Sequence, residues 1–180
     1  MRKSKGVGTK LNYPKAWIDY LIYFHTDQDF FECHEVLEEH WKNEGMKGNL
    51  WPGLIQIAVA LYHQRRSNMN GAKRMITSGI QKLYEERNAL IELGLDVDTL
   101  FEVLENRKKE IDQQKEFTSI ALPMSHPLLH ACLKKSAKTE EDWKTKRIPD
   151  DQIIHKHRLR DRTPVIEERE KQKLQKKRTL

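Results

Sequence analysis

The sequence predicts an all-α protein, a single bundle of about five helices followed by a basic C-terminal tail that is either poorly ordered or docked on the body. Three observations carry this. Every apolar stripe repeats with the period of a helix, and no segment alternates in the manner of a strand. Proline, glycine and asparagine fall between the stripes at helix-length intervals, where they make turns. Residues 54–63, LIQIAVALYH, are apolar on nearly all sides, the mark of a helix at the centre of a bundle.

The elements follow in order. Pro14 opens a helix over residues 15–26, with Trp17, Ile18, Leu21, Ile22 and Phe24 facing inward. Asp29 is an N-cap for the second helix, and Glu32 three positions on completes a capping-box pattern. Gly45 and Gly48 end that helix. Asn49 and Pro52 start the central helix, and residues 67–71 form the next turn. A fourth helix spans about 70–93, with Ile76, Ile80, Leu83 and Leu90 in its stripe. Its internal Gly79 costs helix propensity, so a close approach of two helices is expected there. Asp96 or Asp98 caps a fifth helix over about 99–115, and residues 127–135 form a short amphipathic one. The expected core contains Phe30, Leu37, Trp41, Ile57, Leu61, Ile76 and Leu83. The chain thus divides into a flexible N-terminus (1–13), the bundle domain (14–115), a connecting segment (116–133) and a charge-rich tail (134–180).

The net charge of +6 lies in the tail. Residues 134–180 hold 16 Lys/Arg and 9 Asp/Glu, a net of +7, against 17 and 18 in residues 1–133, a net of −1. The runs at 156–162 and 171–178 have the composition of a nucleic-acid arm, but the interspersed acids dilute the field. The other expectation for the tail is that it folds back, with Trp143, Ile148, Ile153, Ile154 and Leu159 as anchors. No apolar run reaches 18 residues, so no membrane span is expected, and residues 1–10 lack the apolar region of a secretory signal. Cys33 and Cys132 form neither a CxxC nor a disulfide framework, which makes a cytoplasmic location the expectation.

The second helix holds the candidate site. At 3.6 residues per turn Phe30, His34, Leu37, Glu38 and Trp41 share a face, which is expected to be the buried one. His34 and Glu38 then need a partner, because a buried ionisable group is costly unless paired, hydrogen-bonded or metal-bound. Gln56 and His63 repeat the pattern on the central helix, seven residues apart on one face. The four are expected to converge, with Trp41 walling one side.

The His34-x3-Glu38-x2-Trp41 block, with the second stretch running from Gly53-Leu54-Ile55-Gln56 through His63, Asn68 and Gly71-Ala72, resembles the domain-of-unknown-function family 309 over about residues 14–110. The resemblance implies an all-α fold and a suspected metal site, and supplies no activity.

Three functions are compatible with these residues. The preferred one is a non-enzymatic interaction module with a buried His/Glu/Gln network and another protein as its partner. The second is a metal-dependent, hydrolase-like enzyme. In that reading His34, Glu38 and His63 hold a divalent zinc, manganese or iron, Trp41 and Gln56 line the pocket, and Glu35 is the candidate base. The third is a nucleic-acid binder acting through residues 156–178. The string HEVLE departs from the zinc-protease motif, since Glu38 stands where its second His belongs. No phosphate loop, dinucleotide fingerprint or nucleophile elbow is present.

Overall fold

The first helix, α1 (Lys15–Ile22), starts directly after Pro14 and buries Trp17, Ile18, Tyr20 and Leu21. Its final turn widens into a π-helical turn, Tyr23–Asp27, which stops at Gln28 in the left-handed conformation (φ 50°). The chain then enters α2 (Phe30–Asn43). The widened turn lines up Trp17, Tyr20, Phe24 and Phe30 as successive ring pairs, with centroids 5.2 to 5.7 Å apart. These coordinates are a computed structural model and describe residues 12–145, 149–159, 167 and 170. Residues 1–11 and the 171–178 run lie outside the described residues, as does Ile148.

Asp29 caps α2, its Oδ1 accepting from the Glu32 backbone N–H at 3.0 Å. The reciprocal half of the expected capping box does not form. The Asp29 N–H donates to the Tyr23 carbonyl, and the Glu32 carboxylate turns to Lys156. The buried stripe of α2 is Phe30, Cys33 and Leu37. Trp41, expected in the core, lies half-buried at its edge and donates its indole N–H to the Lys47 carbonyl, closing the turn after α2. The other six expected core residues are buried.

α3 (Leu50–Arg65) is the central helix and buries residues around most of its circumference. It packs against α2 on one side and α4 (Met69–Glu85) on another. The expected long fourth helix breaks at Glu86 and resumes as α5 (Arg87–Glu92). At the break, the Glu86 carboxylate accepts from the Asn49 N–H at 2.9 Å, tying the end of α4 to the start of α3. α6 (Val97–Asp112) is capped by Asp96. α7 (His126–Ser136) lies against α1 and buries Leu128 and Cys132. Among the described residues the β pairing is confined to an isolated bridge between Leu95 and Met124. Burial pushes the Cys33 thiol well up and that of Cys132 up to about 12, so both stay protonated.

Three further short helices follow: α8 (Glu140–Lys144), α9 (Asp151–Ile154) and α10 (Lys156–Leu159). Trp143 of α8 is buried and stacks on His25 with centroids 5.0 Å apart. Residues 150–157 lie against α2 and α3, so this part of the tail is docked. No helix of the described residues is long and apolar enough to cross a membrane.

The close approach expected at Gly79 is present. A Cβ there would stand 3.2 Å from the Gly53 carbonyl oxygen and 3.0 Å from the Ile57 side chain. Gly53 in turn faces Leu83. Gly79→Leu forces α3 and α4 apart and should lower stability by roughly 1–3 kcal/mol in urea unfolding, the usual cost of overpacking a filled core. The exposed Thr77→Ala on the same helix should change it by less than about 0.5 kcal/mol.

His25 makes a second prediction. Its ring lies between Phe24 and Trp143, and its Nε2 is shut off from solvent with no hydrogen-bond partner. Burial pushes its pKa down to about 4 from an ordinary 6.5. The folded protein holds the neutral ring while the unfolded chain takes a proton. Stability is therefore fully present above about 6.5 and falls as pH drops from there towards 4. Urea unfolding at pH 7 and pH 4.5 should differ by roughly 2–3 kcal/mol from this group. His25→Phe should remove that part of the difference.

Candidate functional site

His34, Glu35 and Glu38 form one cluster, in which each residue offers a ligand atom within 4.8 Å of the others. The helix supplies the geometry. Glu38 is one turn beyond His34, and its Oε2 lies 2.9 Å from His34 Nε2. Glu35 Oε1 approaches Nδ1 on the other edge of the ring, at 3.2 Å. Lys42, one turn further, meets Glu38 Oε1 at 2.7 Å. The result is a surface ladder on a single helix, Glu35–His34–Glu38–Lys42.

The expected burial of this face is corrected. The His34 and Glu38 side chains keep 29 % and 34 % of their exposure. α2 is wedged between α1 and α3, so the line through Phe30, Cys33 and Leu37 points inward and His34 and Glu38 fall on its flank. Burial works against ionisation of Glu38, but Lys42 and His34 outweigh it and hold the carboxyl below the usual Glu value. His40 is half-buried and packs edge-on against Trp51 at 4.8 Å. The Trp51 indole donates to Glu44.

Gln56 and His63 lie on the α4 side of α3. A Cβ on Gly79 would touch the Gln56 Cβ at 3.3 Å, and one on Gly71 would meet the His63 ring at 3.0 Å. His63 Nδ1 accepts from the Asn68 amide at 3.0 Å, while the Asn68 side-chain oxygen caps α4 by accepting from Gly71 N–H. Burial, then Arg66 and Arg74, push the His63 pKa down; those two cations also make its surroundings unfavourable for a metal ion. The block Gly53–Gln56–His63–Asn68–Gly71 thus packs and caps the α3–α4 hairpin. The Gln56 side-chain oxygen is buried there without a hydrogen-bond partner.

The sequence reading missed a second assembly, at the ends of α2 and α3. Arg65 folds its guanidinium over Phe30 (4.8 Å), with Tyr62 and Phe117 each at 5.9 Å, and donates to the Gln28 carbonyl at 2.6 Å. Beside it Asp29, only 8 % exposed, pairs with Lys156 at 2.7 Å; Lys156 also reaches Glu32 at 2.7 Å. The Tyr62 hydroxyl accepts from the His157 backbone N–H (3.2 Å) and lies 2.8 Å from His157 Nδ1. Arg66 approaches the same ring at 2.9 Å. A Lys-His pair far along the chain gives no signal that it belongs to Asp29 and Tyr62, because neither ends of α2 and α3 nor the tail carries a pattern for the other.

Between α2 and this docked segment lies a cleft of about 640 Å³, lined by Phe31, Glu32, Glu35, Asp150, Gln152, Ile153 and Lys156. Glu35 links the cleft to the His34 cluster.

An all-α bundle that displays a His–carboxylate ladder on its second helix, beside an acidic cleft, defines a class of protein without naming a reaction. The family model described as Domain of unknown function (DUF309) matches residues 17–75, from α1 into the first half of α4. The uncharacterized protein YpuF of Bacillus subtilis (strain 168) is 45 % identical over 164 residues, covering 89 % of this chain and 94 % of that protein. The chain belongs to the DUF309 family. No solved structure gives a significant match.

Proposed function

We propose that this protein is a non-enzymatic, cytoplasmic interaction module that takes a lysine- or arginine-bearing segment of another protein on the acidic edge of α2. The observation that carries this reading is the cleft of about 640 Å³. Its carboxylates are Glu32, Glu35 and Asp150, and Phe31 and Ile153 give it an apolar floor. A cation on a long aliphatic stem matches that combination, because its stem covers apolar surface while its head meets carboxylates. Lys156 already does this in the chain itself, between Asp29 and Glu32. The two buried, protonated thiols suit a reducing compartment. A lysine-rich amphipathic peptide, followed by fluorescence anisotropy, should bind with micromolar affinity that weakens as salt rises. Its glutamate-substituted counterpart should not bind, and Glu35→Lys should weaken the lysine peptide at least tenfold. Equal binding of both peptides would sink the reading.

A second reading places a divalent zinc, manganese or iron at His34, Glu35 and Glu38. The donor types suit such ions, and three ligand atoms lie within 4.8 Å of one another. The arrangement fits less well than the composition. Glu35 and Glu38 address opposite nitrogens of His34, and Lys42 already neutralises Glu38, so an ion would have to displace Lys42 and turn the imidazole. In this cluster Glu35 serves as a ligand instead of a base. Elemental analysis of tag-free protein separates the readings. Near-stoichiometric metal that His34→Ala removes would establish the site; less than about a tenth of an equivalent, with no thermal shift on adding zinc or manganese, would set it aside.

A further inference from the structure

The docked segment 150–159 consists of two helices of four residues each, α9 and α10. Helices this short do not persist alone in water, so the surface beneath orders them. That surface is specific. Lys156 enters between Asp29 and Glu32, and His157 seats against Tyr62 with its ring edge-on at 5.4 Å and its nitrogens facing Arg66. Asp29 is a buried carboxylate, which is costly without a counter-charge, and Lys156 supplies one across 127 positions of the chain. Burial works against the charge on Lys156, but the two carboxylates outweigh it and raise its pKa.

Among the described residues Lys156 and His157 make charged and hydrogen-bonded contacts with α2 and α3, and the flank of the segment borders the cleft of about 640 Å³ beside Phe31 and Glu35. A segment with the same Lys-His pair and a bulkier apolar residue in the place of Ile153 would make the same polar contacts and bury more surface.

We propose that residues 150–159 are a resident occupant of a docking site on α2 and α3, held in cis, and that the partner this site receives is a short helical segment with an aliphatic residue three positions before a Lys-His pair. The arrangement makes the protein self-occluded: a partner binds by displacing its own C-terminal segment. This rests on the reading of the α2 edge as a docking face and adds how access to that face is regulated.

The test uses the full-length protein and a fluorescein-labelled peptide of residues 149–159. The wild type should bind it weakly. Lys156→Ala/His157→Ala removes the two side chains that seat the resident segment on α2 and α3 and leaves the bundle folded, as circular dichroism will report. That variant should bind the peptide at least tenfold more tightly. Glu32→Lys added to it should abolish the gain, and a peptide carrying the same two alanines should not bind. Equal affinity for wild type and variant overturns the occlusion while leaving a docking face in place. No binding to either protein overturns the proposal outright, and the fate of the broader reading then rests on the lysine-rich peptide and Glu35→Lys, which probe the α2 wall of the cleft with the resident segment still in place.

Discussion

The close approach of α3 and α4 governs the rest of this structure. Gly53 and Gly79 remove the side chains that would hold the two helices apart, and the backbone carbonyl of Gly53 comes within reach of where a Gly79 Cβ would be. With α4 tight on one side, α3 can be covered elsewhere by α2, and a helix apolar nearly all round becomes the axis of the bundle. The hairpin is pinned at both ends. Glu86 holds the start of α3, and the His63–Asn68–Gly71 chain of hydrogen bonds sets the turn into α4. These polar residues are used for packing and capping, which is why they are not available to the cluster on α2.

Charge inside the bundle is handled in two ways. Arg107 is 2 % exposed and meets polar partners: it donates to Gln64 and to the Thr118 carbonyl, with Glu110 at 3.3 Å, while its Nε is buried without a partner. Arg65 instead lies among aromatic faces, with Phe30 beneath it and Tyr62 and Phe117 at its sides, an arrangement in which the rings' quadrupoles offset the lost hydration. Burial depresses the pKa of both guanidinium groups. The Arg65 assembly sits beside Asp29, where the N-cap of α2, the end of α3 and the docked tail meet. One short carboxylate thereby serves local structure through the Glu32 N–H and long-range structure through Lys156.

The ladder on α2 differs in kind from these interior groups. Its members are half-exposed, its spacing is that of neighbouring positions on one helix, and carboxylates alternate with basic side chains. Exposed pairs of this sort contribute little to stability. Their position at the rim of an acidic cleft gives them a recognition role in the reading proposed above, in which Glu35 belongs to both features.

The sequence by itself determined the helical class, the order of the main helices, the Asp29 cap, the close approach at Gly79 and the family, because each of these is encoded by local spacing or by the absence of a side chain; it offered Asp96 or Asp98 for the cap of α6, and the fold chose Asp96. It also determined that His34 and Glu38 would meet, since a helix brings positions four apart together whatever surrounds it. Which face of α2 is buried was a tertiary decision. The stripe Phe30–Cys33–Leu37 and the stripe Phe30–His34–Trp41 are both helical, and only the wedge between α1 and α3 chooses between them. The direction of Gln56 and His63 was decided in the same way: periodicity put them on one face of α3, and the position of α4 decided what that face meets. The docking of Lys156 and His157 had no local code at all, because a contact across 127 residues for one and 95 for the other depends on where the folded body places Asp29 and Tyr62.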